Sequence, residues 1–322
     1  MTAISVTIII PAHDHSGMTA HCVDSVFRSL GSRRDVEVIV IDDASTPPID
    51  LSDIVDHRLR LERSDTNLRF AGACNRGAEL ARGELLVFLN SDTEVRDGWL
   101  EAMLKCLSEN PRAGVIGARL AYRDGTTQHA GMCFSQSDGM PRHLYRGFPI
   151  THPVVQRDRD VQSVTGACLL ITKKLFTEIG GFDVEYTNGF EDVDLCLRVG
   201  ALGRTVISCG ATEIVHLESV SIRPSATPET GTANTALFAR KWLSDVRRDE
   251  IDHYIADDLI RLVSDDVYPL SLHVAPELAI VPGEITLEEL ARLLNIRSRQ
   301  VFDLEKVIGY LTAKLLDNGI EP

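Results

Sequence analysis

Three acidic residues lie in one short stretch whose other members are mostly apolar, GFEDVDLC at positions 189–196. Glu191, Asp192 and Asp194 stand there among side chains that proteins usually bury. Burying an unpaired carboxylate is costly, so each acid must meet solvent, a positive charge or a hydrogen-bond donor. One useful outcome is a general base, because apolar surroundings raise the pKa of a carboxyl group towards neutrality.

A helix that begins in this stretch explains part of the pattern. Val193 and Leu197 share one side of a helix predicted over 192–202, so the acids occupy its first turn. Free N–H groups and the helix dipole stabilise negative charge at that end. Asp194 precedes Arg198 by four residues, so we predict a structural ion pair between them on an exposed helix face.

Polar residues also follow three apolar runs at the points where those runs end. The runs lie at 6–10, 36–41 and 85–89, and the polar groups lie at 11–14, 42–45 and 90–92. Continuous apolar runs of this length are typical of parallel strands that are buried on both faces. Ligands bind at the carboxyl ends of the strands in such sheets, so we expect the three polar groups to converge on one rim.

The remaining pattern alternates strands with helices. Helices are predicted at 18–30, 70–83, 99–107 and 173–179, and further strands at 59–64, 164–171, 205–208 and 213–215. Between 112 and 165 the pattern is less regular, with hairpin turns predicted at Asp124-Gly125 and Asp138-Gly139. The alternation predicts an α/β fold with a mostly parallel central sheet flanked by helices.

Each polar group has a chemistry that it could perform and a plainer structural role. The tripeptide at 90–92 offers the Asp92 carboxylate, which suits Mg2+ or Mn2+ together with diphosphate oxygens, although its residues are also turn formers. Asp43 could accept a hydrogen bond from a pyrimidine N–H or cap a turn. His13 could stack on a nucleotide base, or it could be an ordinary surface-loop residue. His216 could bind a metal ion or have a purely structural role.

Composition and charge exclude several classes of function. The 322 residues are 44% apolar and 25% charged, which is ordinary for a globular protein. A formal net charge of −14 argues against a nucleic-acid binder, which needs a basic face for the phosphates. Neither GxxxxGK[ST] nor GxGxxG occurs, and this disfavours P-loop and dinucleotide-binding folds.

The sequence also suggests a cellular location. It contains no run of about 18 apolar residues, and MTAISVTIIIPAHD has neither the basic region nor the cleavage site of a signal peptide. We therefore expect no transmembrane segment. Seven cysteines are scattered singly, which favours a reduced protein with thiols in its core. The prediction is a cytoplasmic protein, and attachment to the inner membrane face is the alternative.

Six longer motifs occur in one order along residues 4–222: VTIIIPAHD, VEVIVIDDAST, NLRFAGACNRGAELARGELLVFLNSDTEV, VTGACLLI, GGFDVEYTNGFEDVDLCLRVGALG and EIVHLESVS. This series resembles family 2 glycosyltransferases of the GT-A fold. Within that family it is most similar to the rhamnosyltransferase-like branch, which builds bacterial surface polysaccharides. The resemblance implies an inverting transfer of a sugar from a UDP- or dTDP-sugar donor to a hydroxyl of a saccharide or glycoconjugate acceptor.

The resemblance also implies roles for individual residues of this chain. Matching positions put Pro11, His13, Asp43, Arg69 and Asn75 at the nucleotide; Asp92, His216 and Asn90 at a Mn2+ or Mg2+ ion; and Asp192 as the general base with Glu191 in support. We also expect the loop at 218–234, which carries Arg223, to close over the diphosphate as a lid. Asn90 stands where many members have an aspartate. The metal would therefore meet one carboxylate of this tripeptide rather than two.

The motifs divide the chain into a GT-A catalytic domain over 1–234 and a helical C-terminal extension over 235–322, with helices predicted at 235–262 and 286–316. Leucines at 287, 290, 293 and 294 favour packing within the chain, and a homodimer through these helices is the alternative. Two other functions also stay open. One is a non-catalytic scaffold or sugar-binding protein of the same fold, and the other is a nucleotidyltransferase.

Overall fold

The computed structural model describes residues 4–217, 228–263, 271–275 and 312–313. The strands are β1 (Val6–Ala12), β2 (Val36–Asp43), β3 (Leu59–Ser64), β4 (Leu85–Leu89), β5 (Thr93–Val95), β6 (Ala113–Ala121), β7 (Thr127–His129), β8 (Met132–Phe134), β9 (Pro141–His143), β10 (Arg159–Val161), β11 (Cys168–Thr172), β12 (Thr205–His216), β13 (Ile260–Val263) and β14 (Ser271–Val274). The helices are α1 (Ser16–Leu30), α2 (Arg69–Leu80), α3 (Trp99–Glu109), α4 (Lys173–Glu178), α5 (Glu191–Ala201), α6 (Pro228–Trp242) and α7 (Glu250–Ala256).

One large mixed sheet organises these elements. Its strand order is β10-β12-β6-β11-β4-β1-β2-β3, with β5 added to β12 and β7 added to β6. The strands β4, β1, β2 and β3 are parallel to one another, as the apolar runs predict. Strand β11 runs antiparallel between β4 and β6, so the sheet is less uniformly parallel than expected.

Helices cover both faces of the sheet, and this explains why the central strands are apolar at nearly every position. In β1, Ile8 and Ile10 pack into the core on the side of α1 and α3, whereas Ile9 packs into the opposite core with α2 and α5. Successive strand residues face opposite sides, so a strand covered on both sides needs apolar residues on both. The same arrangement leaves the polar residues after each strand at the rim.

The middle of the chain is more regular than its sequence suggests. The turns at Asp124-Gly125 and Asp138-Gly139 are confirmed, because they close the hairpins β6–β7 and β8–β9. Strand β6 was not predicted, since glycines interrupt its apolar pattern. A Cβ at Gly117 would lie 2.4 Å from the Val164 side chain, so close packing requires the glycine there.

Three predicted strands have different bounds in the structure. The segments expected at 205–208 and 213–215 form the single strand β12, which has a register shift between Cys209 and Ile214. The strand expected at 164–171 begins only at Cys168, and residues 164–167 form a loop. This loop lies at the same rim as the polar groups.

The C-terminal part is not purely helical. The single helix predicted over 235–262 is instead divided into α6 and α7, and β13 and β14 then form an antiparallel hairpin. Phe238 of α6 is buried against Phe134 and Phe190, so this helix packs on the rest of the protein. Arg223 and the leucines at 287–294 lie outside the described residues. Within the described part of the chain, no helix combines the length and apolar character that crossing a bilayer requires.

Candidate active site

The loops after β1 and β2 are joined at the rim of the sheet. Ala12 pairs with Asp42 in register, so the two strands end side by side. The Asp14 N–H donates to Ser45 Oγ at 2.8 Å. The Nδ1 of His13 lies 2.7 Å from the Asp43 carbonyl oxygen, so this nitrogen carries a proton and donates it. Pro11 immediately precedes this junction, and His13 remains about half exposed.

Asp42 and Asp43 are adjacent but have different environments. Asp42 accepts hydrogen bonds from the N–H groups of Ser45 and Ile49 and forms an ion pair with Arg63. Burial raises the pKa of Asp42, but these donors outweigh it and the pKa is lowered overall, so this carboxylate stabilises the turn. Burial raises the pKa of Asp43, whose Oδ1 accepts the Leu68 N–H at 2.7 Å beside α2.

Arg69 and Asn75 both connect α2 to the segment before α5. Arg69 is exposed at the start of α2 and donates to the Thr187 hydroxyl at 2.6 Å. The side-chain amide of Asn75 is paired with the backbone of Phe182, donating to its carbonyl and accepting from its N–H, each at 2.8 Å. The contacts of Asn75 are therefore those of a residue that holds this segment against α2.

Asn90, Asp92 and His216 come together because β12 ends beside β5. His216 pairs with Thr93 across these antiparallel strands, which brings the imidazole to the residues after β4. Its Nε2 lies 3.0 Å from Asp92 Oδ1 and 3.3 Å from Asn90 Nδ2. Its Nδ1 lies 2.7 Å from Oε1 of Gln128 on β7.

These contacts fit a small divalent cation. The Gln128 amide oxygen can only accept, so Nδ1 of His216 carries a proton, and Nε2 is left facing the Asp92 carboxylate, where an ion would lie between them. Two ligands at right angles on an octahedral ion with bonds of about 2.1 Å lie about 3 Å apart. The Oδ1 of Asn90 is buried without a hydrogen-bond partner. The donor set therefore suits Mn2+ or Mg2+.

The loop before β11 links this group to Asp192. The Asn90 N–H donates to the Ala167 carbonyl at 2.9 Å, and the Gly166 N–H donates to Asp192 Oδ2 at 2.7 Å. A Cβ at Gly166 would lie 3.1 Å from the Phe70 ring and 3.3 Å from Asp192 Cβ, so a larger residue would push on both. Asp192 is half-buried at the first turn of α5.

Glu191 and Asp192 are adjacent carboxyl groups, and both have raised pKa values. Glu191 is 7% exposed, and its Oε2 accepts the Gly189 N–H at 2.5 Å. Burial, together with the charge of Asp192, raises the pKa of Glu191 to about 7. Burial also raises the pKa of Asp192, which hydrogen bonds from backbone N–H groups, first that of Gly166, and from the Thr165 hydroxyl partly offset. The pair therefore retains protons nearer to neutral pH than ordinary carboxyl groups do.

Asp194 is a structural residue, and its predicted pairing with Arg198 is confirmed at 2.7 Å. The expected exposed position is wrong, because Asp194 is 0% exposed. Its other oxygen accepts from Trp242 Nε1 at 2.8 Å and from Lys241 Nζ at 2.5 Å, both on α6. The three acids of the stretch thus lie in three separate environments.

Sequence reasoning missed two residues that support the site. Gln128 orients His216, and Asn234 of α6 hydrogen-bonds the backbone at Thr187 and Gly189, just before α5. Gln128 is a buried polar residue in a short strand, and the polar run TTQH between the turn at Asp124-Gly125 and the apolar residues after it is a weak signal for it. Asn234 has no comparable signal, since its partners are 45 and 47 residues away.

Comparison with known proteins identifies the family. The family model described as glycosyl transferase family 2 matches residues 7–180. The chain belongs to this family. This family 2 glycosyltransferase is 33% identical over 246 residues to the O-antigen biosynthesis protein RfbC of Myxococcus xanthus, a match that covers 74% of this chain and 19% of that protein. It therefore spans about a fifth of the length of that relative.

Two further matches describe its branch and its fold. An N-acetylglucosaminyl-diphospho-decaprenol L-rhamnosyltransferase of Mycobacterium tuberculosis is 27% identical over 210 residues, covering 58% of this chain and 68% of that enzyme. The crystal structure of GalNAc-T7 with UDP, GalNAc and Mn2+ superposes with a TM-score of 0.59 at 14% identity, covering 97% of this chain and 58% of that one. The family 2 glycosyltransferase therefore has the GT-A fold, as its motifs predict.

Proposed function

We propose that this protein transfers a sugar, with inversion, from a UDP- or dTDP-sugar to a hydroxyl of a saccharide or glycoconjugate acceptor. The observation that carries the proposal is the loop at 165–167. It hydrogen-bonds Asn90 on one side and Asp192 on the other, at 2.9 and 2.7 Å. The proposed cation ligands therefore lie next to a carboxyl group of raised pKa, at the rim where α/β sheets bind ligands.

The donor nucleotide would lie at the joined loops after β1 and β2. Asp43 would accept from the N–H of uracil or thymine, and Pro11 and His13 would contact the base. Arg69 is exposed, and it directly follows Leu68, whose N–H donates to Asp43. We therefore assign Arg69 to the nucleotide as well. GalNAc-T7, which shares the fold, crystallised with UDP and Mn2+, and this supports a donor of the same class.

Asp92, His216 and Asn90 would hold Mn2+ or Mg2+. When bound, the ion neutralises charge on the diphosphate and so favours its departure. Gln128 keeps the Nδ1 proton of His216 in place, which directs the Nε2 lone pair towards the ion site. The presence of one carboxylate rather than two lowers the negative charge at the site.

Asp192 would accept the proton of the acceptor hydroxyl. The hydroxyl oxygen bonds to the anomeric carbon on the face opposite the diphosphate, and the bond from that carbon to the diphosphate oxygen breaks. Such a direct displacement needs no covalent enzyme intermediate. We assign the base to Asp192 because it is half-buried and reaches solvent, whereas Glu191 is almost fully buried and holds the Gly189 N–H. Glu191 supports the start of α5.

The alternative is a scaffold or sugar-binding protein without activity. We disfavour it because a carboxyl group with a raised pKa lowers the stability of the fold. A half-buried carboxyl with a raised pKa, as Asp192 has, lowers stability at neutral pH, and a scaffold has no use for it. The test is the release of UDP or dTDP from a panel of nucleotide sugars with acceptor and Mn2+. We expect metal-dependent release that Asp92→Asn abolishes. Binding of no nucleotide by the folded wild-type protein would refute the proposal.

A further inference from the structure

A second group of metal-ligating side chains lies away from the candidate active site, formed by Cys106, Asp158 and Cys209. Cys106 belongs to the last turns of α3, Cys209 lies within β12, and Asp158 immediately precedes β10. The sulfur and carboxylate ligand atoms of the three residues all lie within 4.8 Å of one another. Nothing in the proposed transfer reaction uses them.

Contacts outside the three ligands hold this group in place. The Gly210 N–H donates to Asp158 Oδ1 at 2.8 Å. A Cβ at Gly210 would lie 2.3 Å from the carbonyl carbon of Gln156, so only glycine lets this loop approach β12 and bring the carboxylate to Cys209. The Asn110 side chain donates to the Cys106 carbonyl at 2.7 Å, which fixes the end of α3. A site fixed by such contacts is organised before any ligand binds.

The two thiols are shielded from water, whereas the carboxylate beside them is open to solvent. Cys106 is 2% exposed and Cys209 is 1% exposed, whereas Asp158 is exposed. The Cys209 thiol donates to the Ala102 carbonyl of α3 at 3.7 Å, so its sulfur faces the helix that carries Cys106. An entering cation would reach the two sulfurs past the exposed carboxylate of Asp158.

We propose that Cys106, Cys209 and Asp158 bind Zn2+, with water in the fourth position on the exposed side. Thiolate ligands select zinc, whereas Mg2+ and Mn2+ prefer oxygen ligands such as those around Asp92. Sulfurs in a tetrahedral zinc site lie roughly 3.8 Å apart, which the 4.8 Å grouping can reach with small movements. Binding replaces two S–H bonds by two sulfur–zinc bonds and releases two protons.

The bound ion would join α3, the loop before β10 and β12. Cys209 precedes His216 by seven residues on β12, roughly 20 Å of strand, so the zinc would be separate from the ion at the candidate active site. It would act as a clamp on this side of the sheet. We therefore expect zinc to raise the unfolding temperature while Asp92→Asn leaves zinc binding unchanged.

The test uses Co2+ as a probe of the full chain, because thiolate ligation to cobalt gives an ultraviolet charge-transfer absorption that oxygen and imidazole ligands do not. Protein is reduced first, and all seven thiols are verified by titration under denaturing conditions. We expect one equivalent of Co2+ to produce the absorption and one equivalent of Zn2+ to remove it. Cys106→Ser and Cys209→Ser should abolish it, and Cys168→Ser, a fully buried cysteine outside the group, should keep it.

Asp158→Asn tests the site in a variant that should fold even if the cysteine variants do not. The asparagine oxygen can still accept the Gly210 N–H, but the charged ligand is lost, so zinc affinity should fall at least 10–100-fold in a folded protein. Absence of the absorption in fully reduced wild-type protein would overturn the proposal. The same conclusion follows if the absorption persists in both cysteine variants, or if the pair forms a disulfide on oxidation and the reduced protein binds no cobalt.

Discussion

Replacing Asp194 with asparagine tests whether this carboxylate serves the structure rather than the proposed reaction. Asp194 is 0% exposed and accepts from Arg198, Trp242 and Lys241, two of which carry positive charge. Asparagine has the same shape but only one oxygen, and its NH2 group would face a cation. The substitution therefore leaves buried donors without their acceptor, which costs more than losing an exposed pair.

The magnitude follows from the exposure of the partners. Removing one member of a buried ion pair costs about 3–5 kcal/mol. Arg198 and Lys241 are 22% and 28% exposed, so water can solvate them in part, and we expect a loss of about 3 kcal/mol. Asp24→Asn is the matched control, because Asp24 forms an i,i+4 pair with Arg28 in which both side chains are about 60% exposed. Asp24→Asn should lower the unfolding free energy by about 0.5 kcal/mol or less.

The assay is urea unfolding of the wild type and both variants, followed by turnover of the folded proteins. Equal losses of unfolding free energy for Asp194→Asn and Asp24→Asn would show that the buried network contributes nothing beyond an exposed pair. Turnover of folded Asp194→Asn should stay near that of the wild type. A variant that folds normally and has no activity would instead give Asp194 a role in catalysis.

Three further predictions concern the candidate site. Asp192→Asn should lower turnover roughly 10²–10⁴-fold with unchanged donor affinity in calorimetry, and near-normal turnover would exclude it as the base. Gln128→Ala should weaken Mn2+ binding roughly 10–100-fold in a metal titration, because His216 loses its orienting acceptor; unchanged affinity would contradict that role. Between pH 4.5 and about 7 the folded Glu191 holds a proton that the unfolded chain releases, so unfolding free energy should fall as pH rises, and Glu191→Gln should flatten this slope in urea titrations.

The family and the central part of the fold can be predicted from the residues alone. Strands β1, β2 and β4 are covered on both faces, so their runs are apolar almost throughout, and each run ends where the chain reaches the rim. The polar residues that follow them, Asp43 and Asp92 among others, are recognisable for the same reason. Strand β6 could not be predicted, because its glycines are explained only by the side chains that pack on them.

Local sequence cannot assign the environment of each acid in GFEDVDLC, because the deciding partners are distant along the chain. Trp242, 48 residues from Asp194, makes that carboxylate structural, and Gly166, 26 residues from Asp192, holds the proposed base. Gln128 orients His216 across 88 residues. The apolar patterns alone indicate the long central strands and the helices α1–α5, since these depend on neighbours a few positions away. Tertiary structure alone decided which acids meet cations and which meet backbone N–H groups, since hydrogen bonds and charges act over only a few ångströms.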